Sequence, residues 1–531
     1  MSSGKEGKLL KNSLGVSLAT LASRILGLFR VRLEAFALGG GTTASIWALT
    51  LAIPNLLRRL LGEGALGAAL IPLYAEAERD DGIPAARRAL AQALSVVGII
   101  LAAIVVLCST LAYIFGKTHF WLDSEFLHSE RVQGICELLP LILPYTFFIC
   151  LTGVIGAVLN YANVFVRPAL TSLFFNICMI SGLAAGVLLE LPSDQMLILL
   201  SVVTPVAGAV QFLLMLWMLR SCGKFPIFSR QSFRDLAFTK QLFKNAAPGI
   251  IGYGMLQLSF LIDRLLALYL GDQAVPALTY VDRVIDLPIG LFAVSLGSVL
   301  MASMTHAAAA SDWEAMKEQL NFSMRHVWFI TAPMAAGVIF FNQDILGVLC
   351  LGGKYTVSVL EAARYVAVFY GMGVPFFCSL KIILPAFYSR KDMKRPFYVS
   401  MLTVLLNVVL NVILMFPMRQ SGLALATVVA SAANNSLLLY LLAKDGFVLR
   451  KGTVFSACRS VLLALLAAFP VFLFRERLIA CFEETFIARC CILGIIGIAF
   501  GIIFAVLALL FRTPELSEFM DILRRRRKKS A

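Results

Sequence analysis

The sequence predicts an all-α polytopic membrane protein with about fourteen transmembrane helices. Three observations carry this. Of 531 residues, 60% are hydrophobic and only 15% charged. Apolar runs of roughly 18 residues or more recur along the chain, each able to cross a hydrocarbon core of about 30 Å at 1.5 Å per helical residue. Lysines and arginines gather in alternate connections between those runs.

The runs, taken in order, are 13–38, 44–76, 89–116, 133–158, 167–190, 195–219, 244–270, 275–304, 325–343, 357–387, 396–416, 421–443, 454–474 and 485–511. If both termini are cytoplasmic, the inside connections hold roughly 29 Lys and Arg and the outside ones roughly 6. The inside set runs through Lys5, Lys8 and Lys11, Arg87 and Arg88, Arg220 to Lys244, Arg390 to Arg395, Lys444 to Lys451, and the tail Arg524 to Lys529. Lys117, Arg131, Lys354, Arg419, Arg475 and Arg477 make up the outside set. The formal net charge of +15 therefore reports membrane orientation and not nucleic-acid binding. The terminal Arg-Arg-Arg-Arg-Lys-Lys reads first as an ordinary cytoplasmic retention tail, and it is also basic enough to sit on anionic lipid headgroups. A polar, basic start followed by an arginine-bearing apolar run, with no small-residue cleavage site, does not read as a removable signal peptide. The 11 cysteines form no CxxC pair, so neither a disulfide framework nor a zinc site is expected. Cys350 and Cys481 alone share the outer side in a way that would permit pairing.

The chain repeats itself at a shift of roughly 230 residues. Arg32 to Gly39 leads to a span ending at Pro54, and Arg264 to Gly271 leads to one ending at Pro288. Arg167-Pro168 opens a span containing Asn176, and Arg395-Pro396 opens one containing Asn407 and Asn411. An even number of spans per unit keeps both units in one orientation, related by an axis along the membrane normal, with a substrate site expected between them. The predicted organisation is an N-terminal lobe over 1–219, a cytoplasmic linker over 220–243 and a C-terminal lobe over 244–443. Two further helices over 454–511 and a basic cytoplasmic tail over 512–531 follow.

Arginines stand inside the first two apolar runs: Arg24, Arg30, Arg32, Arg58 and Arg59, against only Glu34 and Glu63. Each charge at the middle of a spanning helix costs about 2.5 to 3.5 kcal/mol on insertion scales, so five of them imply a wet, protein-lined cavity suited to an anion. Arg30 and Glu34, and Arg59 and Glu63, are four apart and can pair on one helix face. Arg24 and Arg58 lack such an acidic neighbour and are the stronger ligand candidates, because a guanidinium donates in parallel to phosphate or carboxylate oxygens. In the eighth run Asp282, Arg283 and Asp286 sit within one turn. Arg283 is the fourth cationic candidate, and the two carboxylates are candidate gate partners.

Asp263, Asn407, Asn411 and Thr427 offer oxygen ligands for a small cation such as sodium; interhelical hydrogen bonding is the competing reading of the same residues. His119, His128, His306 and His326 form no HExxH motif, and no nucleotide-binding or nucleophile-elbow motif occurs in a usable context. The chain does not read as an enzyme and no cofactor is expected. A monovalent-cation gradient or the membrane potential, worth about 2.3 kcal/mol per charge per 100 mV, is then the expected driving force.

Ser-Arg-Ile-Leu-Gly-Leu-Phe-Arg (Ser23 to Arg30), Pro-Asn-Leu-Leu-Arg-Arg with the following Glu-Gly (Pro54 to Gly64), the Tyr280 to Leu300 segment and Phe387 to Pro396 together resemble the MurJ (MviN) family. These are bacterial lipid II flippases of the multidrug/oligosaccharidyl-lipid/polysaccharide exporter superfamily. The resemblance covers nearly the whole chain. It implies two six-helix lobes in a V around a central cationic cavity, two C-terminal helices whose groove admits the lipid tail, and a location in the bacterial cytoplasmic (inner) membrane with roles in peptidoglycan and cell wall synthesis. By position the family's cavity arginines are Arg24, Arg30, Arg58 and Arg283, its second-span glutamate is Glu63, and the acid beside the eighth-span arginine is Asp282. One departure stands out: the family commonly carries an acid early in the second span, where this chain has Ser45. A gate role then falls to Glu63 or Asp282. The implied partners are lipid II, anionic membrane lipids and proteins of cell wall synthesis or division. An exporter of another polyprenyl-linked saccharide or of a drug on the same fold is the alternative, although a cationic drug calls for a negative cavity.

Overall fold

The computed structural model describes residues 21–62, 65–117, 129–162, 164–228, 237–483 and 485–518. Glu63, the basic tail 524–529 and the middle of the linker lie outside the described residues. The elements in order are α1 (21–38), α2 (Thr42–Leu57), a π-helical turn (Arg58–Gly62), α3 (Ala65–Lys117), α4 (Glu130–Ile142), α5 (Pro144–Tyr161), α6 (Val166–Leu188), α7 (Ser193–Ser221) and α8 (Ala237–Leu270). Then follow α9 (Ala274–Pro288), a second π-helical turn (Ile289–Ala293), α10 (Val294–Ala309), α11 (Trp313–Leu349), α12 (Val357–Tyr388), α13 (Lys394–Met418), α14 (Gln420–Lys444), α15 (Lys451–Ala480) and α16 (Phe486–Leu510). Among the described residues ten helices are long and apolar enough to cross a membrane, in α3, α5 to α7 and α11 to α16.

Local sequence explains where the apolar runs divide. The second and third expected runs meet in one continuous element, α3, bent at Gly82, whose φ of 81° is left-handed and two residues short of Pro84. The fourth run is cut by Pro144, which opens α5 at a position where its missing N–H costs nothing. The Asp312 carboxylate accepts from Ala315 N (3.0 Å) and caps α11. The Thr485 hydroxyl does the same for α16 through Ala488 N (3.2 Å).

The internal repeat is visible in the backbone. α1 ends at Gly39 (φ 75°) and α8 at Gly271 (φ 131°), both conformations that a side chain disfavours. Each glycine is followed by a short helix containing a proline, Pro54 or Pro288, and then by a π-helical turn.

The chain forms two compact units: 1–276 with 352–355, and 277–351 with 356–531. The predicted lobes follow the repeat, whereas these units follow packing, and α8 packs with the first. The core of the first unit joins Leu70, Tyr74, Leu90 and Leu101 of α3 to Ile155 and Leu159 of α5, Leu219 of α7 and Leu242 of α8. The Gly352–Tyr355 turn seats on α1, Lys354 N donating to Phe36 O (3.0 Å). A Cβ at Gly353 would lie 2.4 Å from that same oxygen, so only glycine fits there.

In the second unit α15 and α16 dock on α11. Ala332, Ala336 and Phe341 meet Ala464, Ala468, Ile492 and Ile496, small residues allowing close approach. At one end of the unit, Arg395 and Arg390 both donate to the Asp445 carboxylate (2.6 and 2.8 Å), and Arg390 lies over Phe447. Large apolar side chains such as Phe472, Phe474, Ile498 and Leu510 point outward in both helices, as a lipid-facing surface requires. All 11 cysteines are free, with Cys350 buried and Cys481 exposed, so the permitted pair is not made.

Candidate functional site

Within the first unit the candidate cations line up along α1 and the α2 turn. Asn176 of α6 donates to the Ser23 carbonyl (3.1 Å), tying down the residue before Arg24. Arg24 is partly buried. Two turns on, Arg30 is 8% exposed, stands 3.3 Å from Glu34 and lies over the Phe175 ring at 5.3 Å. The i,i+4 spacing foretold that pair; the aromatic ring from α6 was not foretold. Arg32 remains on α1 with partial exposure.

Arg58 and Arg59 fall in the first π-helical turn. Such turns insert one residue into the helical register and so re-aim neighbouring side chains. Arg59 donates from Nη1 to Gln257 Oε1 of α8 (3.0 Å) and lies 5.9 Å from the Phe260 ring. The pairing with Glu63 expected from spacing falls outside the described residues, whereas Gln257 is a partner that the sequence reading missed. Arg58 is partly buried. Asp263 and Arg264 of α8 are 6% and 5% exposed, with the Arg264 guanidinium 4.8 Å from Phe260.

Ser45 is fully buried and donates to the backbone carbonyl of Asp272 (2.6 Å). Arg131 of α4 approaches the Asp272 carboxylate at 3.3 Å and donates to Leu268 O (2.7 Å). So a carboxylate does stand near position 45 within this unit, brought there by the end of α8. The sequence around position 272 carries no signal beyond its place after Gly271 at a helix end, where a polar residue is ordinary.

In the second unit Arg283 reaches Asp286 only at 4.0 Å, with the two side chains 37% and 59% exposed. Asp282 is partly buried one residue earlier, and the second π-helical turn begins one residue after Pro288. Asn407 and Asn411 are 3% and 0% exposed. Asn411 donates to Asn407 Oδ1 (3.1 Å), Asn407 to Thr427 Oγ1 (3.3 Å), and Thr427 to Leu423 O (3.0 Å). This chain of bonds joins α13 to α14, the interhelical use of the three residues. Among the described residues no group of three or more His, Cys, Asp or Glu is placed to hold a metal.

Helices throughout the described residues, ten of them long and apolar enough to cross a membrane, with Arg30 and Arg264 buried in α1 and α8, are the arrangement expected of a membrane transporter. The chain is a member of the lipid II flippase MurJ family, whose model matches residues 35–490. It is therefore a transporter-family protein and not an enzyme. The "Probable lipid II flippase MurJ" of Vibrio cholerae is 29% identical over 430 residues, 79% of this chain and 80% of that protein. The "Lipid II flippase MurJ" of Burkholderia cenocepacia is 28% identical over 422 residues, again 79% and 80%. A solved lipid II flippase MurJ in an inward closed conformation shares the fold at a TM-score of 0.75 and 22% identity, covering 94% of this chain and 98% of that one. An inward-facing multidrug resistance transporter of the MATE family matches at 0.62 and 13%, covering 81% and 98%.

Proposed function

We propose that this chain flips lipid II, moving the undecaprenyl-pyrophosphate-linked peptidoglycan precursor from the inner to the outer leaflet of the bacterial cytoplasmic membrane for cell wall synthesis. The family match over residues 35–490 carries the reading. The chemistry of the cargo agrees with it. A pyrophosphate, a disaccharide and a peptide with carboxylates make a large anionic headgroup that hydrocarbon rejects. Guanidinium groups within spanning helices offer charge-assisted, bidentate hydrogen bonds to such oxygens.

In this proposal Arg24, Arg30, Arg58 and Arg283 donate to the headgroup, while Asp282, Asp286 and Glu63 act as exchange partners when the cargo is absent. Arg58 and Arg283 fall inside the family match; Arg24 and Arg30 precede it, so their roles rest on helix position and chemistry. Transport proceeds by alternating access, which requires loaded and empty protein to prefer different conformations. A monovalent-cation gradient or the membrane potential supplies the drive, and both termini face the cytoplasm.

The deciding experiment depletes a known flippase in cells and measures lipid II exposure on the outer leaflet with and without this chain. Restored exposure supports the reading; failure of well-expressed wild-type protein to restore it favours a different polyprenyl-linked cargo. Arg24→Ala, Arg58→Ala and Arg283→Ala should each abolish flipping in reconstituted vesicles while leaving expression intact. Normal flipping by one variant removes that residue from the site.

A further inference from the structure

Helical geometry divides α1 into three columns, because each residue turns the direction of its side chain by about 100°. Ser23, Gly27, Arg30 and Glu34 fall on one column, Arg24, Val31, Ala35 and Leu38 on a second, and Leu21, Ile25, Phe29 and Phe36 on a third. The first column faces α6. Asn176 donates to the Ser23 carbonyl (3.1 Å), a Cβ at Gly27 would lie 3.9 Å from the same Asn176 nitrogen, and the Arg30 guanidinium lies over Phe175. Val31, Ala35 and Leu38 of the second column are buried in the protein. All four members of the third are exposed and large, as a lipid-facing surface requires.

Arg24 is the charged member of an otherwise interior column, about 100° from the middle of the lipid-facing one. A rotation of α1 by that amount would carry its guanidinium from the protein into hydrocarbon, where a charge is costly. The contact with α6 opposes such a rotation. A side-chain partner can follow a turning helix by changing rotamer, but a backbone carbonyl points along the helix in a fixed direction. A donor on a neighbouring helix that meets it therefore sets both the rotation and the height of α1. Asn176 is buried in α6, and α6 is itself held by α7, where Gln211 donates to Thr171 O (3.0 Å) one turn before Phe175. The repeat brings Asn407 to the matching place in α13, but that amide bonds to Thr427 of α14. The asparagine recurs in the repeat, whereas its use against the α1 backbone belongs to the first unit.

We propose that Asn176 is a positioning residue for the headgroup site: its amide pins the rotation of α1 so that Arg24 points into the protein, and it acts through Arg24 without touching the cargo. The part of this that concerns cargo rests on the lipid II reading; the pin itself does not.

The test uses the full chain and two variants that remove the donor, Asn176→Leu at similar volume and Asn176→Ala. Orientation is read first, without cargo. Arg24→Cys, in a background with the native cysteines replaced, is reacted with a charged, water-soluble thiol reagent. Either change at Asn176 should slow labelling at position 24 about fivefold, the population shift that one net hydrogen bond sustains, while thermal unfolding barely moves. Binding of purified lipid II to variants that keep the native cysteines is then measured by native mass spectrometry. Arg24→Ala should weaken it about tenfold or more and Asn176→Leu about fivefold. The double variant should lose no more than Arg24→Ala alone, because the pin then has nothing left to place. Labelling that neither variant alters overturns the pin. A double variant whose loss is the product of the two single losses shows independent action and overturns the positioning role. Slowed labelling together with no lipid II binding by the wild type keeps the pin and overturns the cargo reading instead.

Discussion

Arg30 with Glu34 and Arg283 with Asp286 are the same device in two environments. Both are arginine–carboxylate pairs one helical turn apart, and both sit in segments read as spanning. The first pair is 3.3 Å apart with each side chain 10% exposed, and an aromatic ring covers the guanidinium. The second is 4.0 Å apart with 37% and 59% exposure. A pair sealed from water holds its partners by making separation costly, since a lone buried charge loses its hydration without compensation. An open, loosely matched pair contributes little to stability and can exchange its carboxylate for a ligand. Burial, not spacing, thus sets how readily each arginine exchanges its carboxylate for a substrate anion: Arg283 at little cost, Arg30 only where the anion replaces Glu34 in full.

That contrast can be broken experimentally. Arg30→Ala should have the largest effect, destabilising the protein by about 3 to 5 kcal/mol because Glu34 is left buried and uncompensated; the double variant with Glu34→Ala should recover part of this. Thermal unfolding in detergent measures both, and an Arg30→Ala loss below about 1 kcal/mol would place Arg30 with the exchangeable group. Arg283→Ala should leave unfolding unchanged within about 0.5 kcal/mol, yet cut flipping at least tenfold, since a charge-assisted hydrogen bond contributes about 1.5 to 3 kcal/mol. Ser45→Ala should cost about 1 kcal/mol by releasing the Asp272 carbonyl, detectable as faster amide exchange at the end of α8.

The smallest effect should come from pH. The hydrogen bond from Arg395, reinforced by Arg390, holds the Asp445 carboxyl below the ordinary carboxylate range. A depressed folded value means that the clamp is complete above the unfolded value, about 3.9, and weakens only as pH falls through the lower, folded one. Protection from amide exchange around residues 388–395 and 445–450, taken relative to the intrinsic rate at each pH, should therefore be constant from neutral pH down to about 4 and fall below it. A loss of protection beginning near pH 6 would mean that the clamp depends on another group.

The candidate residues were legible because charge in an apolar run is conspicuous: Arg24, Arg30, Arg58 and Arg283 stand out, and four-residue spacing suffices to pair Arg30 with Glu34. Gln257, Asp272 and Arg131 were not legible, since each lies roughly a hundred to two hundred residues from what it touches and has nothing unusual around it. Asn407, Asn411 and Thr427 were legible as a polar set but not in their use, because the same oxygens suit a cation or a neighbouring helix. The bonds they make with one another favour the second.

By itself the sequence determined the all-helical membrane character, the repeat and the family resemblance, because hydropathy, charge and glycine–proline punctuation act locally and survive in any arrangement of the helices. Tertiary structure alone decided that α8 packs with the first unit, that Arg59 meets Gln257, that Ser45 serves a carbonyl at 2.6 Å and that Glu515 is buried between two arginines. Those outcomes depend on which helix faces are pressed together, and a one-dimensional pattern does not contain that information until the chain has packed.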